Sequence, residues 1–475
     1  RKQMKKIERE AAIADLNYEE APKLVTEYPG PKSKAIFDEC MFMESPQRTA
    51  GLLFPIAIDE ARGACFKDID GNIFIDACSS IAVSAVGHNH PKVVKAIQEQ
   101  AAKFGHGFDL SNPLKTKLLK KMIQTAPPGL KNSSFITLGM SGTAAAEMAV
   151  KQAKMITGRS EICAFEGAYH GVFGTANTMT TGSLYREDYG SLMPGVHHLP
   201  YPYCYRCSFD LEYPKCDMQC AKFVDYQLNT PYTGKNNIAA IVAEGMQGEG
   251  GYIAPPQEWW PMMRKIADKH GCLLIADEVQ SGFGKSGKLW AIEHFDCEPD
   301  IMTFGKAVGG DQPVAGIFSR GRYWNKLAAG SQPVTFASNA ISMAAALANY
   351  EVMLDPELNL MGRAKELGNE FQSMLKEAQK TNEIIGEIRG LGLLQGIELV
   401  KDPQTKEPVD GQKLLSVLVE DFAPRGIWVA PSGRYGNVLR FMPPLTIRHD
   451  HFIWCVETII EVLNEKKDEL SGSGS

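Results

Sequence analysis

The sequence lacks the features that mark a membrane or secreted protein. No apolar run approaches the roughly 20 residues that a helix needs to cross a bilayer. The opening stretch, residues 1–20, mixes Lys, Arg and Glu. That mixture suits neither a secretory signal, which has an apolar core, nor a transit peptide, which is poor in acids. We therefore expect a soluble protein of the cytoplasm.

Positive charge is also scarce. The 475 residues carry 50 Lys and Arg against 56 Asp and Glu, a net charge of −6, and no long basic stripe. A nucleic-acid partner therefore has no electrostatic basis. Internal repeats and low-complexity tracts are missing as well. A chain of this length suggests two or three structural units with room for a buried cofactor.

In the middle of the chain, short apolar runs alternate with helical stretches. The runs are residues 135–138, 162–165, 238–242, 273–276, 301–304 and 315–318. This alternation is typical of βα units and predicts an α/β domain with a doubly wound, mostly parallel sheet.

The flanking segments have a different pattern. Asp70-Gly71 between two alternating runs, 64–68 and 72–76, predicts a β-hairpin. Near the other end, residues 389–398 and 438–441 are predicted as strands and 451–466 as a helix. We expect a smaller α+β domain from 346–468, with 1–85 contributing to it. The large domain is 86–345, with a cysteine-rich insertion at 201–235, and 469–475 is a tail.

An acid and a lysine each end one of the apolar runs. Asp277 follows 273–276, and Lys306 follows 301–304 by one glycine. Ligands of parallel sheets collect at the carboxyl ends of the strands. Pyridoxal phosphate (PLP) chemistry needs a lysine amine to capture the cofactor and a carboxylate beside its pyridine nitrogen. An ordinary strand-end acid and a surface lysine are the alternative.

Other residues have the chemistry of a PLP site. Ser141, Gly142 and Thr143 open a helix, where backbone N–H groups bind phosphate, although Ser141 and Thr143 also suit plain N-caps. Thr335 is a second phosphate anchor. Tyr169 ends a strand and suits the face of a pyridine ring, or the core.

A buried arginine and a loop glutamate form a candidate carboxylate site. Arg440 lies inside an apolar strand, where its planar guanidinium suits an acid. Glu249 lies in a glycine-rich loop and is a candidate partner. A structural ion pair is the alternative interpretation.

Four of the 11 cysteines are clustered. They are Cys204, Cys207, Cys216 and Cys220, two close pairs that suit four thiolates around zinc or an iron–sulfur cluster. A disulfide pair or free thiols are the alternatives. The remaining cysteines are scattered and are predicted to be reduced.

Taken in order, these blocks resemble the class III aminotransferases, a PLP-dependent family of fold type I that includes the 4-aminobutyrate and ornithine aminotransferases. The resemblance runs from about residue 50 to 465. Its blocks include Ser141-Gly142-Thr143, Ala168-Tyr169-His170-Gly171, Gln247-Gly248-Glu249-Gly250-Gly251, Ala276-Asp277-Glu278-Val279-Gln280, Gly305-Lys306 and Asn437-Val438-Leu439-Arg440-Phe441.

The resemblance implies a role for each matching residue. Lys306 binds PLP and shuttles the proton, Asp277 pairs with the pyridine nitrogen, and Gln280 bonds the ring hydroxyl. Thr335 comes from the neighbouring subunit, which implies a homodimer or a higher homo-oligomer. The implied cofactor-binding residues are Ser141, Gly142, Thr143, Tyr169, His170, Glu244, Asp277, Gln280, Lys306 and Thr335.

The resemblance also implies the substrates. Ile81, Val172, Glu249 and Arg440 are the implied substrate-binding residues, and Glu249 neutralises Arg440 when an amino group enters in place of a carboxylate. Val172 stands where many 4-aminobutyrate enzymes have an arginine for the distal carboxylate. The predicted reaction moves an amino group from an ω-amino acid or amine to a 2-oxo acid. The alternative is an amino-acid racemase or epimerase of the same family.

Overall fold

The computed structural model describes residues 2–47, 54–187, 189–190 and 192–472. Arg1 and the end of the predicted tail, 473–475, lie outside the described residues. The chain divides into two compact units. One comprises Arg1–Pro91 with Val352–Ser475, and the other is Lys92–Glu351. No helix in the described part of the chain is long and apolar enough to cross a membrane.

The strands, in chain order, are β1 (Ile58–Arg62), β2 (Cys65–Asp68), β3 (Ile73–Asp76), β4 (Ser134–Gly139), β5 (Glu161–Phe165), β6 (Val196–Leu199), β7 (Ile238–Glu244), β8 (Leu273–Asp277), β9 (Ile301–Phe304), β10 (Ala315–Arg320), β11 (Ile385–Leu391), β12 (Leu394–Asp402), β13 (Glu407–Pro408), β14 (Ile427–Trp428), β15 (Ala430–Ser432) and β16 (Val438–Phe441).

The α-helices are α1 (Lys2–Ala14), α2 (Pro31–Cys40), α3 (Pro91–Ala101), α4 (Pro113–Gln124), α5 (Gly142–Thr157), α6 (Gly174–Met179), α7 (Gln219–Asn229), α8 (Trp259–His270), α9 (Ala340–Met353), α10 (Leu360–Gln379), α11 (Gly411–Val417), α12 (His449–Glu465) and α13 (Lys467–Ser471).

The unit Lys92–Glu351 contains a seven-stranded sheet. Its strand order is β4-β10-β9-β8-β7-β5-β6. The strands β5 to β9 pair in parallel, and β10 is antiparallel to both β4 and β9. The α/β class with a mostly parallel sheet is therefore confirmed.

The central strands are buried along their whole length. Every residue of β7, β8 and β9 is buried, which is why these strands are mainly apolar. Helix α5 packs alanines, among them Ala145, Ala149 and Ala153, into the same core. Its small side chains let the helix lie close to the sheet, and it ends at Gly158 in the left-handed conformation.

The other unit contains two smaller sheets. The first has the order β1-β2-β3-β14, and the second β11-β12-β16-β15 with β13 paired to β12. The hairpin predicted around Asp70-Gly71 is formed by β2 and β3. The single strand predicted over 389–398 is wrong, because the chain turns between β11 and β12 and pairs with itself. Gly392, at a φ of 56°, supplies the left-handed conformation for that turn.

Candidate active site

Three neighbouring strands deliver polar residues to one edge of the large sheet. Glu244 and Asp277 end β7 and β8 and lie side by side in the ladder. Asp277 in turn lies beside Thr303 of β9. These are carboxyl ends of parallel strands, the place where open α/β sheets bind ligands.

The carboxylate of Asp277 is buried and accepts hydrogen bonds from separate parts of the fold. Oδ2 lies 2.6 Å from Nδ1 of His170. Oδ1 accepts from Oγ1 of Thr303 at 2.7 Å and from the backbone N–H of Val279 at 3.1 Å. Burial raises the pKa of Asp277, but these donors outweigh it and hold the pKa below its usual value. The group is therefore a fixed negative charge inside the protein.

His170 is completely buried and is oriented by Asp277. Burial lowers its pKa, while the hydrogen bond and the charge of Asp277 raise it, and the net direction is upward. Because the carboxylate accepts, Nδ1 carries the proton. Nε2 is buried and has no hydrogen-bond partner among the residues that the structure describes. The ring of His170 is therefore held in contact with the Asp277 carboxylate.

Glu244 connects two loops at the same edge. One oxygen accepts from the backbone N–H of Tyr169 at 3.0 Å, and the other from that of Gly248 at 2.9 Å. Burial raises the pKa of Glu244 to about 7, and the nearby charge of Asp277 adds to that rise, although His170 opposes it. The side chain therefore links the Tyr169 turn to the loop that carries Glu249.

Lys306 follows β9 and opens a short 3₁₀ turn, Lys306–Gly309. Its φ of 42° is in the left-handed region, which is uncommon for a residue with a side chain. Such backbone strain is concentrated at functional sites. The lysine is three residues beyond Thr303, just after the end of β9, so Lys306 follows the strand that neighbours the strand of Asp277.

The start of α5 adjoins this edge. Ser141 is its N-cap, and its Oγ accepts from the backbone N–H of Ala144 at 3.1 Å. A Cβ at Gly142 would lie 2.7 Å from Cγ1 of Val279, so only glycine fits there. A Cβ at Gly171 would lie 2.6 Å from Oγ1 of Thr143, which shows that the Tyr169–Gly171 turn contacts the helix start.

Tyr169 and Gln280 have neighbours within the same unit. The ring of Tyr169 lies 4.9 Å from that of Tyr185 in an edge-on arrangement. Burial raises the pKa of Tyr169, and the charges of Glu249 and Glu244 add to that rise. Oε1 of Gln280 accepts from the hydroxyl of Tyr252 at 3.2 Å.

The remaining predicted residues are more dispersed. Val172 is 46% exposed, and Thr335 is exposed in the loop before α9. Arg440 and Ile81 belong to the unit formed by Arg1–Pro91 and Val352–Ser475. Arg440 is buried in β16, which lies between β12 and β15.

A left-handed turn surrounds Ile81. Four consecutive residues with side chains, Ser79 to Ala82, have φ values of 49°, 47°, 62° and 61°. Each such residue costs roughly 1–2 kcal/mol. The hydrogen bonds that hold the turn include those from the Ser80 N–H to Asp76 and from the Ser79 hydroxyl to the carbonyl of Met442.

The predicted metal centre is not assembled in this structure. In the ranges that the structure describes, no three His, Cys, Asp or Glu side chains are placed to hold a metal ion together. None of Cys204, Cys207, Cys216 and Cys220 is in a disulfide. Cys204 opens the 3₁₀ turn Cys204–Arg206 and Cys207 follows it, whereas Cys216 lies in a turn before α7 and Cys220 lies in the first turn of α7.

Sequence reasoning missed Thr303. Its hydroxyl donates one of the shortest hydrogen bonds to Asp277, yet a threonine in an apolar strand looks like ordinary β-sheet composition. Thr303 could have been identified by its position opposite Asp277 in the neighbouring strand. That position follows only once the register of β8 and β9 is known. Tyr252, the partner of Gln280, was missed because it lies in a loop whose packing local composition does not reveal.

Comparison with known proteins identifies the family. The model of the family "Aminotransferase class-III" matches residues 47–463. A diaminobutyrate–2-oxoglutarate aminotransferase of Rhizobium meliloti is 36% identical over 417 residues, 85% of this chain and 87% of the relative. An alanine/serine racemase of Pyrococcus horikoshii is 32% identical over 465 residues, 95% and 94% of the two chains.

A solved structure has the same fold. The taurine:2-oxoglutarate aminotransferase of Bifidobacterium kashiwanohense, in complex with PLP and glutamate, superposes with a TM-score of 0.83 at 26% identity. The superposition covers 92% of this chain and 99% of that one. The fold is therefore that of the PLP-dependent transaminases, and the chain belongs to the class III aminotransferase family.

Proposed function

We propose that this aminotransferase binds PLP at the carboxyl edge of β7, β8 and β9. There it moves an amino group from an ω-amino acid or amine to a 2-oxo acid in two half-reactions. The observation that carries the proposal is the fixed Asp277 carboxylate, whose Oδ1 lies 2.7 Å from Oγ1 of Thr303, with Lys306 three residues after Thr303, just past the end of β9. PLP, when bound, supplies an aldehyde that captures the amine and a ring that takes up electrons from the adjacent carbon.

Asp277 would keep the pyridine nitrogen protonated. Its pKa lies below the usual range, so it stays a carboxylate at neutral pH and accepts a proton-bearing nitrogen. The bonds from His170 and Thr303 fix the direction of its oxygens. A preoriented charge needs no rearrangement during the reaction, which makes it effective in stabilising a transition state.

Lys306 would act as nucleophile and as general acid and base. Its Nζ takes the proton from the substrate carbon that bears the nitrogen and returns it at the other end of the transfer. The proposal is tested by Lys306→Ala. We expect the purified variant to lack the visible absorbance of lysine-bound PLP that borohydride abolishes, and to lose transamination.

The helix start fits the phosphate of PLP. Gly142 leaves room for a close approach, since a Cβ there would already contact Val279. At the start of a helix such as α5, backbone N–H groups point toward a bound ligand, and the helix dipole favours a negative charge there. We assign Ser141, Gly142 and Thr143 to the phosphate, and Tyr169 and Gln280 to the ring and its hydroxyl.

The substrate assignment rests on Val172 and on the roles that the family resemblance gives to Glu249 and Arg440. Val172 is neutral and cannot compensate a carboxylate at the end of the substrate opposite the amino group. The enzyme is therefore expected to accept amines and ω-amino acids that differ at that end. We assign Arg440 to the carboxylate of the 2-oxo acid, and Glu249 to neutralising it when an amine enters. The strained turn at Ile81 supports a substrate contact there.

A donor and acceptor panel tests the substrate class. We expect ω-amino acids and simple amines to serve as donors, and pyruvate or 2-oxoglutarate as acceptor. The relative from Pyrococcus horikoshii, which is named a racemase, makes racemisation the second candidate. Incubation with a single-enantiomer amino acid and no oxo acid separates the two, because racemisation without an acceptor would overturn transamination.

We further propose that the enzyme is a homodimer in which Thr335 contacts the phosphate of the neighbouring subunit. Thr335 is exposed, as such a residue must be before assembly. Light scattering on the purified protein tests the mass, and a monomer with full activity would refute the assignment of Thr335.

A further inference from the structure

We propose that Thr180 is a positioning residue for the cofactor, because its hydroxyl fixes the Tyr169 turn (residues 167–171). Thr180 directly follows α6, and its side chain is completely buried. The proposal rests on the function proposed above, in which Tyr169 is assigned to the ring of PLP. It adds the residue that holds this tyrosine and its neighbour His170 in place.

One hydroxyl oxygen serves two consecutive backbone amides. Oγ1 of Thr180 accepts from the N–H of His170 at 2.9 Å and from that of Gly171 at 3.2 Å. It also lies 2.8 Å from the carbonyl oxygen of Gly171 and 3.0 Å from that of Ala176, and its single proton is donated to one of them. Both amides are buried, and a buried amide without an acceptor is costly. The hydroxyl therefore fixes the backbone at both residues.

The residues around these two amides belong to the proposed site. Tyr169 precedes His170, and Val172, on which the substrate assignment rests, follows Gly171. Nδ1 of His170 lies 2.6 Å from the carboxylate of Asp277. A displacement of the turn would therefore move the tyrosine, the contact with Asp277 and Val172 together.

Thr181 holds the other end of the Tyr169 turn. Its Oγ1 accepts from the N–H of Gly167 at 2.7 Å, and its own N–H donates to the carbonyl of Ala168 at 3.0 Å. Between the two threonines, Glu244 accepts from the N–H of Tyr169 at 3.0 Å. Side chains that follow α6 thus bond both ends of the turn.

Helix α6 is in turn anchored to α5. Oε1 of Glu147 in α5 accepts from the backbone N–H of Ala176 at 2.7 Å. A Cβ at Gly174 would lie 2.5 Å from the same oxygen, so this approach requires glycine at the first position of α6. Ala176 and Met179 also pack in the core that α5 shares with the sheet. Because α5 carries the proposed phosphate site, Thr180 holds the Tyr169 turn in a fixed relation to the phosphate.

The change Thr180→Val tests the proposal, since valine keeps the shape of the side chain and removes the hydroxyl. Visible circular dichroism of lysine-bound PLP reports how its ring is held. We expect T180V to bind PLP with a weaker circular dichroism signal and a kcat/KM for the amino donor that is about tenfold lower. T180S retains the hydroxyl and should recover most of both. The matched control is T178V, which removes a buried hydroxyl of α6 that bonds the N–H of Met193, outside the turn, and should keep both values.

Two further measurements keep the test decisive if T180V does not fold. T180A removes the hydroxyl without filling its space and is read in the same way. Hydrogen exchange of the wild-type protein should show the amides of the Tyr169 turn to be protected, and exchange as fast as that of an exposed loop would overturn the proposal.

Two kinetic results would also overturn it, namely wild-type values in T180V or equal losses in T178V. Transamination by wild type with T180V unimpaired refutes this role of Thr180 alone. A wild-type protein that neither binds PLP nor transaminates refutes the proposed function as well.

Discussion

At the scale of single residues, the strength of the site lies in how one carboxylate is held. Asp277 takes hydrogen bonds from a histidine, a threonine and a backbone amide that belong to different segments. A hydrogen bond to a charged group contributes about 1.5–3 kcal/mol. Each donor is therefore expected to have a measurable effect on catalysis.

The change Thr303→Val removes one of these donors while keeping the shape of the side chain. We expect kcat to fall by about 10- to 100-fold, the kinetic equivalent of 1.4–2.8 kcal/mol, with PLP still bound. The reason is that Asp277 loses its 2.7 Å donor and its pKa rises. Thr303→Ser retains the hydroxyl and should stay close to wild type. Equal losses in both variants would show that the effect is one of packing.

Glu244 gives a pH-dependent prediction. Its pKa is raised from 4.5 to about 7, so between these values the folded protein holds a proton that the unfolded chain has lost. The free energy of unfolding therefore falls as pH rises through this window. In Glu244→Gln this pH dependence of the free energy of unfolding should disappear. The free energies of unfolding of wild type and variant should therefore diverge by up to about 3 kcal/mol between pH 4.5 and about 7.

Denaturant titrations of wild type and variant at several pH values measure this divergence. Glu457→Gln, at an exposed position of α12, is the control and should show the wild-type slope. A Glu244→Gln slope identical to wild type would mean that the carboxyl is ionised throughout.

At the scale of elements, the start of α5 packs closely against the loop after β8, next to the phosphate position proposed above. Gly142→Ala places a methyl group 2.7 Å from Cγ1 of Val279, closer than real Cβ contacts. We expect PLP affinity to fall by at least tenfold. The double variant G142A/V279A relieves the contact and should recover most of the affinity, with V279A alone as the control. Spectroscopic titration of the apoenzyme with PLP measures both.

The elements themselves were largely predictable from periodicity. Six strands of the large sheet were predicted from their apolar runs, and β9 was placed over the residues that the structure assigns to it. The seventh, β6, was missed because His197 and His198 interrupt its apolar pattern. The turn between β11 and β12 was missed because Gly392 is one of several glycines in an otherwise continuous apolar segment.

The candidate site was predictable only where chemistry dictates residue type. Asp277 and Lys306 stand out because an acid and a lysine end apolar strands. Thr303 and Tyr252 support the site through register and loop packing, which leave no mark on local composition. The roles of the site residues are predictions, and the variants of Lys306, Glu244 and Gly142 described above test three of them.

At the scale of the whole molecule, stability depends on a buried ion network away from the site. Asp300 is fully buried, and Arg264, Arg322 and Tyr323 bind its oxygens at 2.6–2.8 Å. The backbone N–H of Leu274 also donates to it. The network thus joins α8, β8 and the 3₁₀ turn Gly321–Lys326.

The change Asp300→Asn should cost about 3–5 kcal/mol at pH 7, because it leaves buried cations without their partner. Burial raises the pKa of Asp300, but the charge of Arg264 and the hydrogen bonds from Leu274, Arg264 and Tyr323 together outweigh burial and hold the pKa below its usual value. The stability that ionised Asp300 gives the wild-type protein is therefore present above pH 3.8, and it is lost as the pH falls through the pKa of Asp300 in the folded protein.

Asp268→Asn is the matched control, since Asp268 pairs with the same arginine but is 65% exposed. It should cost less than about 1 kcal/mol. Chemical denaturation at pH 7 and in acid compares the two variants, and similar losses in both would refute a special role for the buried network.

The way in which Asp277 is held also has a consequence for the order of folding. The contact of Thr303 with Asp277 closes a loop of 26 residues, whereas that of His170 with Asp277 closes one of 107. Closing the longer loop costs about 1 kcal/mol more in chain entropy. During folding, the neighbouring strands β8 and β9 can therefore orient the Asp277 carboxylate before His170 reaches it. Of these two contacts, the one with Thr303 is expected to form first.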